Sequence, residues 1–226
     1  MPGAVVANDA VACLGADERR AVAAQLARYT GLSADVVEQN DLRVALNTFD
    51  NELLRATQRS VGRLDGRFTS FNALIAGGGG NGQTFVGDPS EISIRNTFTP
   101  VFTDYVRRDL NYRSDDVYYI LGGGIGPWKF PENQYATVVP NLERAFARNP
   151  FMQLFVAEGY YDGATPYGAV DYTLAHMSVD PAVLAHNITV ERYPAGHMVY
   201  IDDPSAKKLR ADLAAFYEHA LHLPVP

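Results

Sequence analysis

Two short apolar runs, residues 151–157 and 188–193, dominate the hydrophobic pattern in the last third of the chain. The first run is apolar at nearly every position and lies between Pro150 and Gly159, which is typical of a strand buried on both faces. The second run predicts another strand. A helical pattern follows each of them, and the order strand, helix, strand, helix predicts a βαβα unit with a parallel sheet.

Apolar residues spaced three and four apart predict helices along the rest of the chain. In the first of these, Val22, Leu26 and Tyr29 share one face, and Gly31 stands where a glycine commonly ends a helix. Helices are predicted after Asp17, after Ser33, over 42–55, over 100–110 with Thr99 as cap, over 135–148, from a Thr165 cap to near Met177, and from Pro204 onward.

Two glycine-rich stretches interrupt these helical patterns, at residues 77–82 and 122–126. The first literally fits the G-x-G-x-x-G pattern of dinucleotide-binding loops. That pattern requires a helix directly after it, and residues 83–89 predict none. We therefore interpret both stretches as loops.

Composition and charge exclude several classes of protein to which this chain could otherwise belong. Hydrophobic residues make up 47% of the 226 residues and charged residues 20%, which excludes a disordered chain. The net charge of −7 disfavours nucleic acid and anionic lipid as partners, because both would repel the chain. The single cysteine, Cys13, excludes an intrachain disulfide and cysteine-based zinc sites. The first residues show no signal-peptide pattern, and no apolar run is long enough to span a bilayer.

Asp162 and His197 are the residues with the clearest chemical potential, since each directly follows a predicted strand. The carboxyl ends of parallel strands meet at one edge of a sheet, where sites commonly form. A carboxylate beside an imidazole fixes its tautomer and leaves the other ring nitrogen free to act as a general base. The alternative is structural, because an aspartate in such a loop commonly caps a helix or forms a turn.

The remaining histidines do not suggest a metal site. His176, His186, His219 and His222 fall on predicted helix ends or loops. Solvation or a favourable interaction with a helix C-terminus accounts for them there.

Segments throughout the chain resemble bacterial members of the serine carboxypeptidase family, peptidase family S10. Residues 159–166, Gly-Tyr-Tyr-Asp-Gly-Ala-Thr-Pro, resemble the family's aspartate segment, and residues 195–200, Ala-Gly-His-Met-Val-Tyr, resemble its histidine segment. Further resembling segments are 27–32, 52–55, 61–65, 104–108 and 204–213. The resemblance therefore covers nearly the whole chain.

The resemblance implies an α/β-hydrolase fold and removal of C-terminal residues from peptides by a Ser-Asp-His triad, with no metal or organic cofactor. It makes Asp162 and His197 catalytic residues and suggests that Met198 contacts the peptide substrate. It also implies two regions, a helical cap or insertion with glycine-rich loops over 1–135 and the C-terminal βαβα part of the hydrolase domain over 136–226. The order aspartate, then histidine, agrees with that of α/β-hydrolases.

The chain departs from the family at the nucleophile. None of its serines has glycines two positions before and two positions after it, so no nucleophile elbow is present. The family's Trp-Asn-Gly-Gly-Pro-Gly segment is also missing, since the single tryptophan, Trp128, lies in Gly-Pro-Trp-Lys. We expect an incomplete α/β-hydrolase fold, with the last parallel strands and the cap insertion but without the nucleophile half, and no activity of this chain alone.

Three interpretations of a chain without the nucleophile half remain open. The sequence is a fragment of a serine carboxypeptidase, or a non-catalytic binding protein, or a half-enzyme completed by a second chain that carries the serine. Members of the family are often exported, but the compartment of this chain stays open. Asn187-Ile188-Thr189 matches a glycosylation sequon, a pattern that is common by chance.

Overall fold

The computed structural model describes residues 13–71, 88–116, 118, 120, 129, 132 and 136–222. Both glycine-rich stretches, and with them the G-x-G-x-x-G pattern, lie outside the described residues. The chain divides into two compact units, Met1–Ile92 and Ser93–Pro226. The sequence-based boundary after residue 135 falls inside the second unit.

Both units contain helices and short strands. In chain order the elements are α1 (Ala16–Thr30), α2 (Ala34–Gln39), α3 (Leu46–Glu52), β1 (Arg59–Val61), β2 (Thr69–Phe71), α4 (Pro89–Arg108), α5 (Val139–Arg148), β3 (Leu154–Gly159), α6 (Tyr167–Ala175), α7 (Pro181–Asn187), β4 (Ile188–Tyr193) and α8 (Asp203–Leu221). Within the described part of the chain, no helix has the length and apolar character needed to cross a bilayer.

The first unit opens with a small helical core, in which the predicted end of α1 and the predicted cap of α2 are confirmed, whereas α1 begins at Ala16 with Gly15 as its N-cap and not after Asp17. Gly31 adopts the left-handed conformation, with φ of 79°, and its N–H bonds the carbonyl of Ala27, which ends α1. The Ser33 side chain accepts the N–H of Val36 at 3.2 Å and so caps α2. Ala23, Leu32 and Val37 form the buried centre of this helix pair.

A β-hairpin and a polar cluster follow, and the sequence pattern predicts neither. Strands β1 and β2 pair antiparallel, with Val61 opposite Thr69. The buried carboxylate of Asp65, in the connection between them, holds the Arg67 guanidinium at 2.7 Å. The predicted start of a helix at residue 100 is wrong, because Asp88 caps α4 eleven residues earlier by accepting two backbone N–H groups.

In the second unit β3 and β4 pair in parallel, from Leu154 opposite Ile188 to Gly159 opposite Tyr193. The parallel pairing is as predicted, although β3 begins three residues later than the apolar run. Helix α8 packs on one face of this pair, where the rings of Phe155 and Phe216 lie 5.4 Å apart. The predicted burial of this strand on both faces is wrong: Leu154, Phe155 and Val156 are half-buried and Ala157 is exposed, because among the described strands β3 pairs with β4 alone.

Asn187, the first residue of the glycosylation sequon, ends α7 and is buried. Its side-chain amide donates to the carbonyls of Pro150 at 2.6 Å and Met152 at 2.9 Å. These bonds tie the start of β3 to the start of β4. An amide engaged in this way cannot accept a glycan in the folded chain, so the sequon acts as a structural element.

Candidate functional site

The ends of β3 and β4 continue side by side beyond the strands. Tyr160 N–H donates to the carbonyl of Tyr193, and Tyr161 N–H donates to that of Ala195, both at 3.0 Å. Gly159 makes this approach possible, because a Cβ there would lie only 2.3 Å from the carbonyl oxygen of Gly196. The loop that carries Asp162 is therefore held against the loop that carries His197.

Asp162 is held in place by the turn that follows it. Its Oδ1 accepts the backbone N–H groups of Ala164 and Thr165, each at 2.8 Å, and its Oδ2 accepts the Thr165 hydroxyl at 2.5 Å. Burial alone would raise the pKa of this carboxyl, but the bonds from Thr165 and the nearby His197 outweigh it and hold the pKa below its usual value. The carboxylate is therefore ionised at neutral pH.

His197 completes the arrangement. Its Nδ1 lies 2.9 Å from Asp162 Oδ2 and 3.2 Å from the Thr165 hydroxyl. The imidazole side chain is 43% exposed, whereas the Asp162 side chain is only 6% exposed. Because the carboxylate accepts a proton from Nδ1, the neutral ring carries its lone pair on Nε2, and Nε2 has no partner among the described residues. This nitrogen can accept a proton from a bound group.

The geometric prediction for this pair is confirmed, while its catalytic role stays a prediction. The prediction that Thr165 caps the following helix is wrong. Pro166 is extended, with ψ of 133°, so α6 begins only at Tyr167 and receives no side-chain cap. The Thr165 hydroxyl bonds Asp162 instead, and the sequence signal for this is a threonine three positions after an aspartate in a turn.

The backbone that leads to His197 is fixed from behind by α8. The Tyr193 side chain is completely buried, and its hydroxyl donates to Asp212 at 2.7 Å. Burial raises the pKa of this phenol, and the Asp212 carboxylate raises it further. Lys208 bonds both Asp212 and Glu191 at 2.6 Å, which clamps α8 onto β4.

The other candidate residues do not join this site. Met198 is half-buried beside His197, and its suggested role in substrate binding stays a prediction. The His176 ring stacks on Tyr172 with centroids 3.9 Å apart, and His222 bonds the Glu218 carbonyl, so both are used by their own helices. Within the described residues, no group of three or more potential metal ligands comes together.

No serine hydroxyl of the described residues is hydrogen-bonded to His197. Ser205 is buried and donates to Asp202 at 2.6 Å at the start of α8. Ser90 donates to Asp88 in the first unit. Thr165 contacts His197 on the Nδ1 side, so its hydroxyl does not lie where a base would activate a nucleophile.

In comparisons with known proteins, no family model, no curated protein and no solved structure matches this chain.

Proposed function

We propose that this chain provides the acid–base half of a serine-type carboxypeptidase. The observation that carries the proposal is the 2.9 Å contact between Asp162 Oδ2 and His197 Nδ1, made where two adjacent parallel strands end. The exposed imidazole supports it, since a general base must reach its substrate. The segment resemblance to peptidase family S10 supplies the substrate class, a peptide with a free C-terminal residue.

In this proposal the two residues act in sequence on an incoming serine. His197 Nε2 takes the hydroxyl proton as the serine oxygen bonds to the carbonyl carbon of the peptide. The same proton then passes to the leaving amine as the peptide bond breaks. Asp162 stabilises the imidazolium between these steps, and its lowered pKa keeps it charged throughout the neutral range. Water then releases the acyl group by the same steps, with His197 as the base.

The serine comes from outside these residues in our proposal. The sequence contains no Gly-x-Ser-x-Gly turn, and no hydrogen bond joins a described serine to His197. The half-buried apolar side chains of β3 fit a strand that receives a further neighbour. The source is either a longer form of this chain or a second chain.

The test begins with the DNA upstream of Met1 and with the neighbouring genes. An encoded strand–Gly-x-Ser-x-Gly–helix unit is then produced together with this chain, and release of C-terminal amino acids from N-blocked dipeptides is measured. We expect release by the combined protein and none by the 226-residue chain. His197→Ala should lower the rate by about 10⁴-fold or more. The matched control His176→Ala, which removes an imidazole outside the site, should leave the rate unchanged.

Three outcomes would contradict the proposal. If neither the upstream DNA nor a neighbouring gene encodes such a unit, a non-catalytic binding protein becomes the better interpretation. If the combined protein is equally active with His197→Ala, the pair has no catalytic role. Turnover by the 226-residue chain alone, abolished by the same substitution, would show that a nucleophile lies within it.

A further inference from the structure

We propose that Arg192 is the positioning residue of the Asp162–His197 pair, because its guanidinium anchors both ends of the Asp162 turn to β4. The proposal uses the pair that the proposed function also uses. Its test measures the protonation pattern of His197 and needs no enzymatic turnover. The role of Arg192 and the proposed function can therefore be refuted separately.

Arg192 lies between two carboxylates that flank the Asp162 turn. Its Nε lies 2.9 Å from Oε2 of Glu158, the residue directly opposite it in the parallel register. Its Nη2 donates to both carboxylate oxygens of Asp171 at 2.6 and 2.7 Å. The guanidinium thus joins β3, β4 and α6 through one side chain.

The two carboxylates that Arg192 binds lie on either side of the Asp162 turn in the chain. Glu158 is the last residue but one of β3, and the chain enters the Asp162 turn just after it. Asp171 lies in α6, which begins just after the turn. Arg192 is close to the end of β4, which leads into the loop of His197. One cation therefore fixes the entry and the exit of the aspartate turn relative to the strand that carries the histidine.

The arrangement of Glu158 and Asp171 depends on the positive charge of Arg192, because Glu158 is buried. The Glu158 side chain is only 2% exposed. Burial raises the pKa of this carboxyl, Asp171 raises it further, and Arg192 opposes both. Removing the guanidinium leaves a buried carboxylate beside a second one, so the strand end must admit water or a proton. Either response should disturb the end of β3 at Gly159, which lies close against the carbonyl groups of Ala195 and Gly196.

Arg67 in the first unit offers a matched control. Its guanidinium is bound to Asp65, and the two side chains are 36% and 2% exposed, as are those of Arg192 and Glu158. Neither Arg67 nor Asp65 belongs to the Asp162 turn or to the segment that leads to His197. Loss of Arg67 therefore tests an ion pair with a buried carboxylate alone.

The experiment measures the tautomer of His197 by nitrogen-15 NMR of the imidazole in the purified chain, with His197→Gln to assign its signals. In the wild type we expect the neutral ring to carry its proton on Nδ1, facing Asp162. Arg192→Met should lower the ratio of the Nδ1–H to the Nε2–H form about tenfold, as expected for loss of one hydrogen bond to a charged group. Arg192→Lys should restore part of it, and Arg67→Met should leave the ratio unchanged.

The outcomes separate positioning from simple stability. If Arg192→Met loses stability as Arg67→Met does but keeps the wild-type tautomer ratio, Arg192 is a structural residue and the proposal is overturned. If Arg192→Met does not fold, Asp171→Asn decides, because it releases only the exit of the turn. We expect about a threefold lower ratio there, and an unchanged ratio overturns the proposal. A wild-type ring without the Nδ1–H form would instead contradict the pair itself.

Discussion

Two aspartates in different units of the chain are held by nearly the same local hydrogen bonds. Asp88 accepts the backbone N–H groups two and three positions on and a serine hydroxyl, all on Oδ1. Asp162 accepts the N–H groups two and three positions on and a threonine hydroxyl. Each is a turn-forming aspartate of the kind that commonly caps or precedes a helix.

The two aspartates differ in the partner that their Oδ2 atom binds from another part of the chain. Asp88 Oδ2 accepts the backbone N–H of Arg63 at 3.0 Å, which only links two parts of the first unit. Asp162 Oδ2 meets the Nδ1 of His197, an exposed and titratable side chain. The same turn is thus purely structural in one unit and a candidate for catalysis in the other. What an aspartate turn can do chemically depends on the partner that another strand brings to it.

The largest expected effect comes from separating the strand ends at Gly159. Gly159→Ala would place a Cβ 2.3 Å from the carbonyl oxygen of Gly196 and 2.6 Å from that of Ala195. Both atoms belong to backbone and cannot rotate away, so we expect a loss of about 3 kcal/mol in unfolding free energy. Hydrogen exchange of the β3 and β4 amides measures it.

Gly168→Ala is the control for that substitution, because nothing lies within 4 Å of its added Cβ. In helix α6 it should stabilise the chain by about 0.5 kcal/mol. Gly62→Ala makes the same comparison in the first unit, where the Cβ would meet the Asp65 carbonyl at 2.7 Å. Equal exchange in Gly159→Ala and Gly168→Ala would show that the two loops are not in close contact.

The second effect distinguishes the two aspartates directly. Asp162→Asn and Asp88→Asn should each lower the unfolding free energy by about 2 kcal/mol, since each weakens several hydrogen bonds to a charged acceptor. Only Asp162→Asn should change the tautomer of His197. Denaturation of each variant, followed by imidazole NMR, measures both quantities.

The pH dependence of Asp162→Asn has a definite sign. The pKa of Asp162 is lowered in the folded chain, so its contribution is present above the unfolded pKa of about 4 and is lost as the pH falls through the folded value. The difference between wild type and variant should therefore shrink in acid. A difference that grows in acid would mean that the hydrogen bonds to this carboxylate are not formed.

A smaller effect is expected from the hydroxyls. Ser90 is fully buried, and its oxygen also accepts the Leu64 N–H at 3.0 Å, so Ser90→Ala should cost about 1.5 kcal/mol. Thr165→Val removes an exposed hydroxyl and should cost about 1 kcal/mol, while raising the pKa of Asp162. Carboxyl titration by carbon-13 NMR checks the second result. An unchanged Asp162 pKa would assign its lowering to His197 and the backbone.

Features with a local signal could be predicted from the sequence. Gly31 and Ser33 mark helix ends by their own conformational preferences, and the placement of Asp162 and His197 follows from two apolar runs and the geometry of a parallel sheet. The α/β-hydrolase fold stays a prediction, because two described strands in parallel do not define a complete sheet.

Features that depend on register or on very short elements could not be predicted. Strands β1 and β2 have three residues each, too few to show an alternating pattern. The start of α4 is different, because Asp88 is followed by Pro89 and, three positions on, by Glu91, a pattern that marks a helix start and that our prediction overlooked. The opposition of Glu158 and Arg192 requires the β3–β4 register, and only the structure supplies it.

The last prediction concerns a carboxyl of the first unit whose pKa shifts in the opposite direction to that of Asp162. Burial, with a smaller contribution from the Asp88 carboxylate, raises the pKa of Asp50 from 3.8 to about 6, and Arg63 only partly opposes this rise. Its favourable contribution is present below about pH 4 and is lost as the pH rises through 6. Asp50→Asn should therefore stabilise the first unit above pH 6 by on the order of 1 kcal/mol, allowing for solvent screening. Amide exchange of α3 and β1 at pH 4 and pH 7 measures this, and equal pH dependence in wild type and variant would show that Asp50 is not buried beside Asp88.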